Sequence, residues 1–140
     1  MIRIRKINYF QYEDTIESIQ RICLEGDEPR VFQEADYWIM GFAGNIPACF
    51  AVVSQVNEDT WYLSRAGVLP EYRGQGLQLK MIRARVNAVL KVNPNARIIT
   101  DTVAWNIYSS NNLIKAGFRT FWPQEPWGLP EGIYWEYHKN

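Results

Sequence analysis

The chain has 140 residues, enough for one domain to bury a core without disulfides or a structural metal. Its 15 Lys and Arg balance 15 Asp and Glu, so bulk charge excludes a nucleic-acid or anionic-membrane binder driven by electrostatics. With 47% hydrophobic and 21% charged residues the balance is that of a folded domain, and no apolar run reaches the roughly 20 residues of a membrane span.

The start, Met1-Ile-Arg-Ile-Arg-Lys, alternates apolar and basic residues as a first strand over residues 2–7. It lacks the continuous apolar segment of a secretory signal, which points to the cytoplasm. Residues 12–24 place Ile16, Ile19, Ile22 and Cys23 at helical spacing, and Gly26 and Pro29 break that helix. A short segment at 31–35 reads as a second helix or as loop. Residues 37–42 and 49–53 are aromatic and β-branched runs around the turn-rich Ala43-Gly44-Asn45, giving a hairpin. A third strand spans 61–68 after the polar break Asn57-Glu58-Asp59. The period then turns helical from 75 to 92, with Leu79, Ile82, Val86 and Val89 on one face, until Pro94. A β-branched strand at 97–103 and a helix at 106–116 follow, the helix opening on a good cap residue and stopping at Gly117. Strands at 118–122 and 133–137 flank a loop rich in Pro and Gly. Helices alternate with strands only in mid-chain, so the expected architecture is α/β with a mixed sheet, antiparallel first and parallel around the central crossover. No linker divides the chain, so residues 1–140 read as one domain.

Cys23 and Cys49 sit in separate apolar contexts, and with the lone His138 they lack metal-ligand spacing. Two buried reduced thiols and no metal are expected. The segment Val68-Leu-Pro-Glu-Tyr-Arg-Gly-Gln-Gly-Leu-Gln78 carries more chemistry, because it passes from a strand through a glycine-containing loop into a long helix. Helix-opening amides and their partial positive charge suit an anion, and Gly74 and Gly76 let the backbone approach a diphosphate closely. Arg73 adds a permanent cation. The segment lacks the Gly-Lys-Ser/Thr end of a triphosphate loop, and its mid-chain place does not suit a dinucleotide fold.

Arg73-Gly74-Gln75-Gly76-Leu77-Gln78 resembles the signature of the GCN5-related N-acetyltransferase (GNAT) family: Arg or Gln, two residues, Gly, one residue, then Gly or Ala. Gln78 departs from it, standing where the family has a small residue. Downstream, Asn106-Ile-Tyr-Ser109 leading to Gly117-Phe118 looks like the family's Asn, two residues, Ala or Ser, and a helix ending in Gly-Phe. The resemblance covers most of residues 1–121. It implies a central sheet of six or seven strands, a parallel central pair that splays apart, and about four flanking helices.

It also implies use of acetyl-coenzyme A, with transfer of the acetyl group directly to a primary amine. The implied cofactor contacts are Val68, Leu69, Arg73, Gly74, Gln75, Gly76, Leu77, Gln78, Asn106 and Ser109, with the Val68 N–H polarising the thioester carbonyl. An alkyl ammonium has a pKa of about 10.4, so a base is needed near neutral pH. The strand 61–68 holds no carboxylate. Of Glu34, Asp36, Asp101 and Glu136, Asp101 has the best place, towards the carboxyl end of a central strand. The position where family members often carry a leaving-group Tyr is Leu113 here. Tyr108 lies on the same helix about 140° around its axis, and is the candidate acid on that helix, with Tyr134 and Tyr62 as further options. Trp122, Trp127, Tyr134 and Trp135 gather at the last loop as an acceptor rim, core packing or a dimer contact. The oligomeric state stays open between monomer and homodimer. A non-catalytic acyl-coenzyme A binding module and an unrelated α/β binding domain whose loop is only a turn are the rival readings.

Overall fold

A computed structural model describes residues 1–139. Seven strands form one sheet in the order β1-β2-β3-β4-β5-β7-β6: β1 (Ile2–Lys6), β2 (Asp36–Ala43), β3 (Ile46–Gln55), β4 (Thr60–Val68), β5 (Arg97–Val103), β6 (Phe118–Phe121) and β7 (Gly132–Tyr137). The first four are successive antiparallel neighbours, β4 and β5 are parallel, and β7 lies antiparallel between β5 and β6. This is the mixed sheet that the sequence pattern predicts.

Three α-helices cover it, α1 (Glu13–Cys23), α2 (Leu77–Val92) and α3 (Ile107–Lys115), with single 3₁₀ turns at Tyr9–Gln11 and Pro70–Tyr72. Residues 31–35 are loop, which brings the α-helix count to three among the described residues. The reason is local: the buried Gln20 side chain accepts from the Arg30 N–H (2.8 Å) and donates to the Arg30 carbonyl (3.0 Å). The backbone of Arg30, which leads into the loop, is thereby satisfied by α1, and its carbonyl is not free to accept a first helical bond from Glu34.

The alternation of each strand separates two cores. On one face Ile82, Val86 and Val89 of α2 and Leu113 of α3 pack on Trp61, Leu63, Ile98, Phe118 and Trp135. Towards the hairpin, Leu77 and Met81 continue that layer over Ile39, Cys49 and Ala51. On the other face Ile16 and Ile19 of α1 pack on Trp38, Met40, Phe42, Phe50 and Val52. No helix among the described residues is long and apolar enough to cross a membrane.

Candidate functional site

The sheet is incomplete between β4 and β5. Their pairing runs Thr60 with Arg97, Trp61 with Ile98 and Tyr62 with Ile99, and then stops. One residue later β4 carries a bulge: Val53 faces Leu63 but Val52 faces Arg65, so Ser64 is extra. A bulge bends and twists its strand, and β4 leaves β5 here while β5 continues against β7 as far as Val103. A Thr100 hydroxyl replaces the lost ladder bond by donating to the Leu63 carbonyl at 2.8 Å.

Beyond the bulge, the Leu69 N–H donates to the Ala48 carbonyl (2.9 Å). Backbone direction alternates along an antiparallel strand, so the N–H groups of Ala66 and Val68 point away from β3 into the gap. The gap opens as a cleft of about 520 Å³ lined by Ala66, Gly67, Val68, Leu77, Asn106 and Tyr108, among others. It continues into a second cavity of about 360 Å³ that reaches Ser64, Arg85, Thr100 and Asp101.

The mouth of the cleft is the start of α2. Gly74 and Gly76 hold φ of +83° and +73°, the left-handed region that glycine enters without strain. Gly76 is the N-cap and offers no side chain, so the Leu77, Gln78 and Leu79 amides have no capping partner. Arg73 is exposed beside them and donates from Nε to the Val68 carbonyl (3.0 Å), which ties the loop to the strand end. The loop residues Leu69 and Gln75 complete this turn between β4 and α2.

Across the cleft, Asn106 caps α3 by accepting from the Ser109 N–H at 3.1 Å. Gln78 donates to the Ser109 hydroxyl (2.8 Å) and accepts from the buried Asn112 amide (2.6 Å). The departure from the family pattern at Gln78 is therefore a polar strut between α2 and α3, a role that a small residue cannot fill.

The structure sorts the carboxylates. Asp36 is buried in a two-point ion pair with Arg30 (2.7 and 2.8 Å) and also accepts from Ser54. Glu136 pairs with Arg97 at the opposite end of β5 (3.2 Å), and Glu34 is exposed on the loop. Asp101 alone among these four lines the cleft, where it accepts a short hydrogen bond from the Tyr62 hydroxyl. Burial first, and then Asp101, push the Tyr62 phenol well above its ordinary range. Of the other hydroxyls, Tyr108 is exposed and lines the cleft mouth, whereas Tyr134 is buried and accepts from the Gly128 N–H (2.8 Å). Leu113 is buried in the core.

Around the last loop, Tyr134 and Trp135 are core while Trp122 and Trp127 stay open to solvent. Trp127 packs edge-on against Tyr134 and Tyr62 (centroids 4.5 and 6.5 Å apart), so the loop roofs the Asp101 side of the gap.

Three cleft residues and one buried supporting residue, Asn112, escape a sequence reading. Ala66 is two positions from Val68, so strand period alone could have found it. Cys23 differs from the expected buried thiol: it is half-buried and lines the cleft. Burial raises its pKa, with Arg73 opposing. Arg85 interrupts the apolar face of α2, which is a signal, and Asn112 carries none.

Neither the family models nor the curated proteins contain a match to the sequence. Solved structures do match. A Bacillus subtilis acetyltransferase in complex with coenzyme A superposes with a TM-score of 0.79 at 14% identity, covering 100% of both chains. The fold is that of the GNAT acetyltransferases. The ribosomal-protein-S18-alanine N-acetyltransferase of Escherichia coli is similar at TM-score 0.77 and 16% identity, covering 98% of this chain and 93% of its own. A GNAT-family acetyltransferase from Staphylococcus aureus gives 0.70 and 14%, with 98% of each chain covered.

Proposed function

We propose that the protein is an N-acetyltransferase that moves the acetyl group of acetyl-coenzyme A directly to a primary amine, as a single cytoplasmic domain. The observation that carries this is the open β4–β5 gap, whose free Ala66 and Val68 amides lead straight to the glycine-started N-terminus of α2. That arrangement suits a ligand with a diphosphate at one end and an amide-bearing arm at the other. The neighbour bound to coenzyme A shares the fold.

In this reading acetyl-coenzyme A supplies the acyl group as a thioester. The Leu77, Gln78 and Leu79 amides hold the diphosphate with the Arg73 guanidinium, as helix N-termini do. The Ala66 N–H pairs with the arm, and the Val68 N–H polarises the acyl carbonyl. Asp101, on the far side of the gap, takes the ammonium proton, and Tyr62 holds that carboxylate in place. Tyr108 at the cleft mouth serves the departing thiolate.

One observation favours a second reading, a non-catalytic acyl-coenzyme A binding module: Leu113 is buried core at the position of the family's leaving-group Tyr. Calorimetry with acetyl-coenzyme A and an amine panel with thiol detection separate the two. Binding with turnover supports the enzyme, binding without turnover supports the module, and no heat with any acyl thioester sinks both. Arg73→Ala is expected to weaken coenzyme A at least tenfold, in line with loss of a charged contact.

A further inference from the structure

We propose that Arg85 is a carboxylate-binding subsite at the floor of the β4–β5 cleft, so that one of the two reacting substrates carries a carboxylate. The inference rests on the acyl-transfer reading. Arg85 is 4% exposed, in the middle of α2. Its Nε donates to the Met81 carbonyl (3.2 Å) and its Nη1 to the Val52 carbonyl (3.0 Å). The ion pairs among the described residues join Arg21 to Glu17, Arg30 to Asp36 and Arg97 to Glu136, and none involves Arg85.

A guanidinium has five N–H donors in a rigid fork, and the two carbonyls leave most of that fork unused. Burying a charge without a counter-ion costs several kcal/mol, and an apolar side chain of similar size removes that cost. Ile82, Val86 and Val89 show that this stretch of α2 packs apolar residues readily. A merely structural need would thus be met at lower cost by Met or Leu. Burial alone pushes the Arg85 guanidinium down to about 9, as expected for a cation without a partner.

The side chain lines the 360 Å³ cavity with Ser64, Thr100 and Thr102. Asp101 borders the same cavity but does not neutralise Arg85. Strand alternation turns Thr100 and Thr102 towards the helices α2 and α3, where Thr102 meets Ser110. Asp101 turns to the opposite face, where it holds Tyr62. The gap therefore presents a carboxylate on one face of the sheet and an unpaired guanidinium on the other. Asp27 and Asp101 on the cavity wall disfavour a dianion such as phosphate, whereas a single planar carboxylate matches the fork two-point.

The carboxylate has two sources, the acyl chain or the amine, and two arms of one experiment distinguish them. In the donor arm, calorimetry compares succinyl-coenzyme A with butyryl-coenzyme A, which has the same chain length without the charge. In the acceptor arm, thiol release with acetyl-coenzyme A compares free amino acids with their amides. At least a tenfold preference for the carboxylate is expected in one arm. Arg85→Met should abolish it without changing the affinity for coenzyme A and without lowering Tm, and Arg85→Lys should retain only part. If coenzyme A binds and the wild type discriminates in neither arm, the subsite is refuted while the acyl-transfer reading stands. If no coenzyme A binds, the acyl-transfer reading falls and the subsite falls with it.

Discussion

Gln78 offers the sharpest test of the cleft's construction. Gln78→Ala removes the 2.8 Å bond to Ser109 and the 2.6 Å bond from Asn112. Each intramolecular hydrogen bond contributes about 1 kcal/mol net, and a buried donor left without a partner costs about 1–3 kcal/mol. Asn112 is 5% exposed, so its amide becomes that donor. Ser109 is only partly buried, and water can replace its lost partner. The sum is about 2 kcal/mol. Unfolding entropy near 2.1 cal/mol/K per residue turns this into a Tm loss of about 7 °C for a domain of this length. Thermal denaturation followed by circular dichroism measures it, with Asn112→Ala and the double variant completing a cycle. A coupling energy of about 1 kcal/mol is expected between the two residues. The side chain bridges the helices instead of facing the diphosphate end, so coenzyme A affinity should stay within about threefold of wild type, a span below 1 kcal/mol. An unchanged Tm with zero coupling would refute the strut. A large loss of affinity at unchanged Tm would mean that Gln78 contacts the ligand instead.

Other substitutions probe the strand and the chemistry. Gly67→Ala puts a methyl group 2.6 Å from the Cys23 Cβ and 2.8 Å from Phe50, an overpacking of about 1–3 kcal/mol, and urea denaturation should show a lower midpoint at unchanged slope. Asp101→Asn keeps an acceptor for Tyr62 but removes the base, so kcat should fall about 10²- to 10⁴-fold with little change in coenzyme A affinity; an intact kcat would exonerate Asp101. Burial pushes the Cys49 thiol up to about 11. At pH 8 this leaves about a hundredfold less thiolate than a thiol of pKa 9 holds, since each pKa unit is a factor of ten. Cys23 is half-buried at the cleft whereas Cys49 is fully buried, so Cys23 should react first with a disulfide reagent, Cys49 should follow only as the pH is raised or the protein unfolds, and coenzyme A should slow Cys23 alone. Equal rates for the two thiols would contradict their placement.

The legible parts of the sequence are those where one local rule suffices. Period-two runs gave β1 to β5 within a few residues, and the glycines at 74 and 76 marked the entry to α2 because only a left-handed turn needs them both. Asn106 and Gly117 bracket α3 by ordinary capping chemistry. What stayed hidden depends on residues far apart in sequence. The loop at 31–35 has helix-compatible composition, but Gln20 holds the backbone N–H and carbonyl of Arg30, the residue that leads into it. Asp36 looks like a candidate base until Arg30 folds onto it, and Glu136 until Arg97 does. The pairing of Tyr62 with Asp101 spans 39 positions, and neither residue signals the other.

The gap between β4 and β5 costs the fold ladder bonds, and its edges show how that cost is contained. Leu63 recovers a donor from Thr100, and the Val52 carbonyl beside the bulge accepts from the Ser64 hydroxyl at 3.4 Å. The Thr102 hydroxyl, further along β5, accepts from the Trp135 indole at 3.0 Å. Side chains thus finish the sheet around the opening, while the Ala66 and Val68 amides are left to the cleft. Groups that face water carry little penalty, but they lose that hydration when an apolar ligand covers them. A ligand that presents its own carbonyls along this strand edge replaces the lost water bonds, and one without them does not. Selection for an amide-bearing arm is therefore a property of the unfinished strand itself, independent of any side chain in the cleft.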